Sequence, residues 1–226
     1  MMQVIDLTSL SSFTTAIITY LASVYLFRLW HRQPSRMHTD LPFMFSLSFL
    51  GTGSNMLVNS IPGLLQIEYS FALFQLRAII ICISIIPMLG MVLHIWLPRF
   101  AKWHYRIMAA IVAYWLVVVA FAPDEALLMT LVVPVMLFFT VCLLATFAIT
   151  WKTGRLEEVR SDLLVFGLVI ALFSQGLRVT LLNVGLSVVG DILNLVMLAC
   201  ISLALVNPWY RSDTRPKEEP IEAVLY

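Results

Sequence analysis

Apolar residues run unbroken through this chain in long stretches, and polar residues collect at the joints between them. Seven stretches stand out: Leu7–Trp30, Leu41–Pro62, Phe71–Pro98, His104–Ala122, Glu125–Trp151, Ser161–Asn183 and Ser187–Asn207. A bilayer core about 30 Å thick is crossed by roughly 20 helical residues, so each stretch predicts a transmembrane helix. The joints carry turn-forming or charged residues: Gln33-Pro34-Ser35-Arg36, Pro62-Gly63, Pro98-Arg99, Pro123-Asp124, Thr153-Gly154-Arg155 and the short link from Asn183 to Ser187. Barrel strands are excluded, because the runs are too long and do not alternate. The expected fold is all-α, a single seven-helix transmembrane domain over residues 1–226 that finishes in a short cytoplasmic tail, 208–226.

Composition agrees with the pattern: 61% of the 226 residues are hydrophobic and 12% are charged. A water-soluble domain of this size has too little interior to hide that much apolar surface, so the solvent is lipid. The expected location is the cell membrane, as a multi-pass protein. The net charge of +1 mixes both sides of the membrane and says little about partners; no nucleic-acid partner is expected.

Charge position is more informative than charge sum. Arg28, Arg32 and Arg36 flank the first connection, and Arg99, Lys102 and Arg106 the third. Lys152, Arg155 and Arg160 flank the fifth, and Arg211, Arg215 and Lys217 lie in the tail. The remaining connections hold Glu68, then Asp124 and Glu125, then no charge. The positive-inside rule therefore predicts an external N-terminus and a cytoplasmic C-terminus, as an odd number of spans requires. The first span begins without a basic leader or a small-residue cleavage site, so a retained, reversed signal anchor is expected. Cys82, Cys142 and Cys200 all fall within spans and read as small apolar fillers rather than disulfide partners.

Ionisable groups inside a span are costly and mark sites by default. Arg77, Arg178 and Asp191 are such groups, and threading the predicted topology puts all three in the outer third of the membrane. Arg178 lies about 8 Å short of the outer end of the sixth span at the usual helical rise. Neutral polar residues gather at the same depth. Asn55 and Asn59, one turn apart, share a face of the second span, Ser174 and Gln175 accompany Arg178, and Asn194 accompanies Asp191. The inner halves of these spans are less polar. Two readings follow for Asn55, Asn59, Arg77, Gln175, Arg178, Asp191 and Asn194. They line an outward-facing pocket for a small anionic ligand, which a guanidinium grips bidentately. Alternatively Asp191 and Glu68 neutralise the arginines, Asp191 pairing with Arg178 or Arg77, and the cluster only fixes helix register. The second span, with Ser46, Ser48, Gly51, Thr52, Gly53, Ser54 and the two asparagines, is expected to be a central, closely packed helix. Pro87 and Pro134 are expected to kink the third and fifth spans.

Motifs for chemistry fall short. His31, His38, His94 and His104 lie at span ends or in a loop beside Trp30, Trp96 and Trp103, as interfacial belt residues do, not as facing haem ligands within helices. No metal site or haem is expected. Gly190-Asp191 lacks the context and the second aspartate of an intramembrane protease, and Glu157-Glu158-Val159-Arg160 lacks the spacing of a CAAX-type protease. With no nucleotide-binding loop or nucleophile constellation either, no enzyme is expected. Asn207-Pro208-Trp209-Tyr210 partly resembles the motif closing the seventh helix of G-protein-coupled receptors, one residue short, and a helix stop at Pro208 accounts for it.

Arg77 followed by Pro87, and Asp191 on the last helix, partly resemble microbial rhodopsins, but position 195 is Leu and Lys102, Lys152 and Lys217 all lie outside the spans. Covalent retinal is excluded, and no cofactor is expected. The layout also resembles the seven-helix sensor module of prokaryotic histidine kinases: an outward N-terminus, the charged connection Lys152–Asp162 before a sixth helix containing Gly167, and a very short sixth-to-seventh link. That resemblance implies a sensor or receptor-like role. Arg211–Tyr226 is too short for a kinase domain, so another membrane or cytoplasmic protein is expected to carry the output. The competing expectations are an accessory subunit of a larger membrane complex and a small transporter or channel component.

Overall fold

The computed structural model describes residues 7–33, 37, 40–154, 159–183 and 187–206, with backbone alone for 178–183 and 187. It is all-α. The helices are α1 (Leu7–His31), α2 (Leu41–Leu65), α3 (Phe71–Trp96), α4 (His104–Phe121), α5 (Glu125–Thr153), α6 (Ser161–Asn183) and α7 (Ser187–Leu205), with a 3-10 segment Pro98–Trp103 between α3 and α4. Among the described residues six helices are long and apolar enough to cross a membrane, and Ser161–Leu177 of α6 is a shorter apolar helix. A helix is the natural element here because it satisfies every backbone group within one segment, with no help from solvent.

Helix ends follow local chemistry. The Ser70 hydroxyl accepts from the Leu73 N–H, and the Asp124 carboxylate from the Leu127 N–H at 2.8 Å, which caps the starts of α3 and α5. Glu125 adds a negative charge to the first turn of α5, where the helix dipole favours it. Gly154 ends α5 in the left-handed region (φ 63°). α2 outruns its expected stop at Pro62 by most of a turn. The Pro62 carbonyl accepts from both Gln66 and Ile67, and Gln66 itself turns left-handed (φ 54°). α3 stops at Trp96, short of Pro98, and His104 is more enclosed than a belt residue: its Nε2 lies 2.9 Å from the Leu97 carbonyl across the 3-10 segment. At the start of α6, Arg160 holds Asp162 with two hydrogen bonds of 2.9 and 2.7 Å, which raises the already high pKa of the guanidinium.

The packing is a ring of six helices. α1 packs on α2, α2 on α3, α3 on α5, α5 on α6, α6 on α7, and α7 returns to α1. α4 stands outside the ring, against α3 and α5. Small residues set the closest approaches, as they do where lipid removes any hydrophobic drive between helices. α1 buries Ser9, Ser12, Thr15, Ala16, Thr19 and Ser23 along one stripe, at spacings of three and four. Across that seam Ser23 donates to the Ser46 carbonyl (2.7 Å), Tyr20 meets Ser54 (2.9 Å), and a Cβ on Gly53 would press the Tyr20 ring at 3.2 Å. On the other flank of α2, Gly51 lies directly against Ser84 of α3. The small-residue helix α2 is thus a stave of the ring, wedged between α1 and α3, rather than its centre.

Three apolar clusters pack among the described residues, the smallest being Leu89, Leu93 and Phe139 of α3 and α5. Ala78, Cys82, Trp115, Val118, Leu128 and Val132 bind α4 to α3 and α5. A larger cluster including Leu26, Phe45, Phe49, Phe147, Leu198 and Leu205 fills the end of the ring where α1, α3, α5 and α7 finish. Phe45 of α2 and Phe147 of α5 approach there at a centroid distance of 6.3 Å, so the cluster packs aromatic side chains from two non-adjacent staves of the ring. Arg28, Arg32, Lys102 and Lys152 lie at this same end, hereafter the basic end.

Candidate functional site

Above the apolar floor the ring encloses two stacked cavities. The larger, about 580 Å³, lies toward the end where α1, α3, α5 and α7 begin; the smaller, about 180 Å³, lies beneath it. They share Ile81, Met136, Ser174, Gln175 and Asn194 as lining, so the two cavities adjoin at these residues, the waist between them. At the waist Ser174 of α6 donates to the Asn194 Oδ1 of α7 (3.3 Å), and the Thr140 hydroxyl of α5 lies 3.5 Å from the Gln175 Oε1.

Helical periodicity delivers the polar side chains to this space. Ser48, Thr52, Asn55 and Asn59 recur on α2 at spacings of three and four, and Asp191, Asn194, Met197 and Ile201 do so on α7. α5 offers the apolar wall, with Leu128, Val132 and Met136 in the larger cavity.

The charges are held by hydrogen bonds to neutral groups. Asp191, only 6% exposed, accepts from the Ser12 hydroxyl at 3.0 Å, and Ser12 accepts from the Asn59 amide at 3.2 Å. This chain links α7, α1 and α2. Arg77 donates through Nε to Asn55 Oδ1 (3.0 Å) and through Nη1 to the Tyr69 hydroxyl (2.8 Å), with its guanidinium carbon 6.0 Å from the Tyr69 ring centre. α4 steadies the segment carrying Arg77: the Gln75 amide donates to the Val119 carbonyl (2.8 Å), and the Trp115 indole to the Ala78 carbonyl (2.9 Å).

Set against the residues singled out from sequence, Asn59, Arg77, Gln175, Asp191 and Asn194 line the larger cavity, and Asn55 lines the smaller one while holding Arg77. The side chain of Arg178 lies outside the described residues, and with it the proposed Asp191–Arg178 pair. The other proposed pair does not form. Among the described residues Arg160–Asp162 is the ion pair, while Arg77 and Asp191 take Asn55, Tyr69 and Ser12 as partners. The reason is reach: an asparagine one helix away meets the guanidinium before the carboxylate does. Polarity also extends deeper than expected, because Ser48, Thr52, Ser84 and Thr140 line the smaller cavity.

Four contributors were not singled out: Ser12, Thr8, Tyr69 and Glu125, all lining the larger cavity. Ser12 carried only a weak signal: Ser9, Ser12, Thr15, Thr19 and Ser23 form the buried stripe, but Thr8, Ser11 and Thr14 put further hydroxyls elsewhere on the same helix. Tyr69 sits in the α2–α3 connection, where no periodicity announces its direction. Among the described residues no group of three or more His, Cys, Asp or Glu is placed to hold a metal ion. Comparison with protein-family models, with curated proteins and with solved structures returned no match.

Proposed function

We propose that this chain is a seven-span receptor-like membrane protein that binds a small ligand from outside the cell. Its N-terminus is external, its C-terminus cytoplasmic, and α6 completes the set of spans. The observation that carries the reading is the lumen itself: polar side chains from six helices meet in a space that packed apolar residues close at one end. The shut end is the basic end, which the positive-inside rule assigns to the cytoplasm. A channel needs a polar path at both ends, and a transporter commonly has broken helices at a midplane site. Neither suits a continuous-helix ring with a packed aromatic floor. Helix shifts are the natural output, because Pro134 lies within the lumen-lining stretch of α5 and Pro87 beside the smaller cavity on α3. Each proline deletes one backbone hydrogen bond and makes bending there easier. A separate protein at the cytoplasmic face reads the shift.

Single cysteines in a background lacking Cys82, Cys142 and Cys200 test topology and lumen together. Thiols at Glu68 and Asp124 are expected to react with a membrane-impermeant reagent from outside the cell, and those at Lys102 and Lys152 only after the cytoplasmic face is opened. Thiols at Gln175 and Asn194 are expected to react from outside and never from inside. Reaction of these lumen thiols from both faces would replace the receptor by a transporter. Reversed labelling at Glu68 and Lys152 would invert the topology.

A further inference from the structure

The larger cavity presents charges of both signs that do not satisfy one another. Among its described lining residues are one guanidinium, Arg77, and two carboxylates, Asp191 inside and Glu125 at the first turn of α5. Arg77 has five N–H donors and spends two on Asn55 and Tyr69, both uncharged. Asp191 accepts one hydroxyl bond, from Ser12, although a carboxylate has about four acceptor positions. Desolvated charges are stable when paired, yet these two stay apart, each fastened to its own helix neighbours. The surrounding wall, with Phe74, Leu128, Val132 and Met136, is apolar. The volume of about 580 Å³ falls among cavities that hold drug-sized ligands rather than single ions.

We infer that the ligand is a zwitterion with an apolar body, of the class of a short hydrophobic peptide, whose carboxylate meets Arg77 and whose ammonium meets Asp191. The inference rests on the receptor reading of the same cavity. Among the described lining residues a simple anion is the poorer fit, since it would gain one guanidinium and face two carboxylates. A simple cation meets the reverse difficulty at Arg77. A zwitterion supplies both missing partners at once and leaves its side chains for the α3–α5 wall. Asn55 and Tyr69 orient the guanidinium so that its remaining N–H groups are free for a carboxylate, while the Asn59–Ser12 chain holds the Asp191 carboxylate in place.

A charge matrix on one body tests this. The probes are the dipeptide Leu-Phe, its N-acetyl form, its C-terminal amide, and the form blocked at both ends, titrated calorimetrically against the full chain in lipid nanodiscs. Leu-Phe is expected to bind at least about tenfold tighter than any blocked form, one missing ionic partner being worth about 1.4 kcal/mol or more. Arg77→Gln is expected to abolish the preference for the free carboxylate, and Asp191→Asn the preference for the free ammonium. Asp191→Asn keeps an acceptor for Ser12, so the helix contact is retained. Lys152→Gln, an exposed charge at the basic end outside both cavity linings, is expected to leave both preferences in place. Equal binding of Leu-Phe and its N-acetyl form would overturn the inference in favour of an anion site, as would preferences that survive Arg77→Gln and Asp191→Asn. No binding by any of the four also overturns it, whereas the receptor reading stands or falls separately on one-sided labelling at Gln175 and Asn194.

Discussion

Gly51→Val is expected to cost about 3 kcal/mol or more of stability, at or beyond the usual range for overpacked cores, or to prevent folding altogether. A Cβ at Gly51 would fall onto the Cβ of Ser84 and approach its Cα at 2.9 Å. The obstacle is backbone, not the far end of a flexible side chain, so relief requires α2 and α3 to separate. Separation would be felt nearby, because Asn55 lies one turn beyond Gly51 on α2 and holds Arg77 of α3 at 3.0 Å. Gly51→Ala is expected to show a milder loss of about 1–3 kcal/mol, partly restored by Ser84→Gly, which removes the opposing Cβ. Gly176→Ala is the control, since a Cβ there meets nothing within 4 Å. Denaturation in mixed micelles measures all four variants. If Gly51→Ala proves as harmless as Gly176→Ala, the close α2–α3 approach is wrong.

The second large effect is expected at Ser12. Ser12→Ala removes the hydroxyl that Asp191 accepts from and that Asn59 donates to, leaving a buried carboxylate without its donor. Hydrogen bonds to charged groups contribute about 1.5–3 kcal/mol, whereas neutral bonds between membrane helices average about 0.6 kcal/mol. A loss of about 2 kcal/mol is therefore expected in the parent. In the Asp191→Asn background, with a neutral acceptor, the same change should cost less than about 1 kcal/mol. The cycle separates the charge contribution from packing. Equal losses in both backgrounds would show that Asp191 carries no charge-assisted bond to Ser12.

Much of the candidate site was legible because its residues are expensive in their setting. Arg77, Asp191 and the asparagines of α2 announce themselves in apolar runs, and threading the helices brought them to one level before any contact was known. Their partners were less legible. The sequence suggested that opposite charges would seek each other, but a side chain pairs with whatever donor or acceptor its rotamer reaches. Asn55 and Tyr69 reach Arg77, and Ser12 reaches Asp191. Ser12 stayed hidden because serine is tolerated anywhere in a membrane helix and carries no charge to draw notice.

Helix number, and helix limits to within a turn, were determined by sequence alone, for a local reason. In hydrocarbon each backbone group finds its partner within its own segment, so apolar length and the capping chemistry of Ser70, Asp124 and Gly154 suffice. Which helices form the ring was decided only in the tertiary structure. Hydropathy cannot rank the faces, because lipid tails are as apolar as a protein interior. α4 is less apolar than α3 and α5, yet it is the helix that stands outside, with Tyr105 80% and Phe121 81% exposed. The contact of Gly51 with Ser84, the fit of Gly53 to Tyr20 and the Trp115 bond to Ala78 are matters of shape and direction. They select the neighbours of each helix, and so place the lumen between α1, α2, α3, α5, α6 and α7.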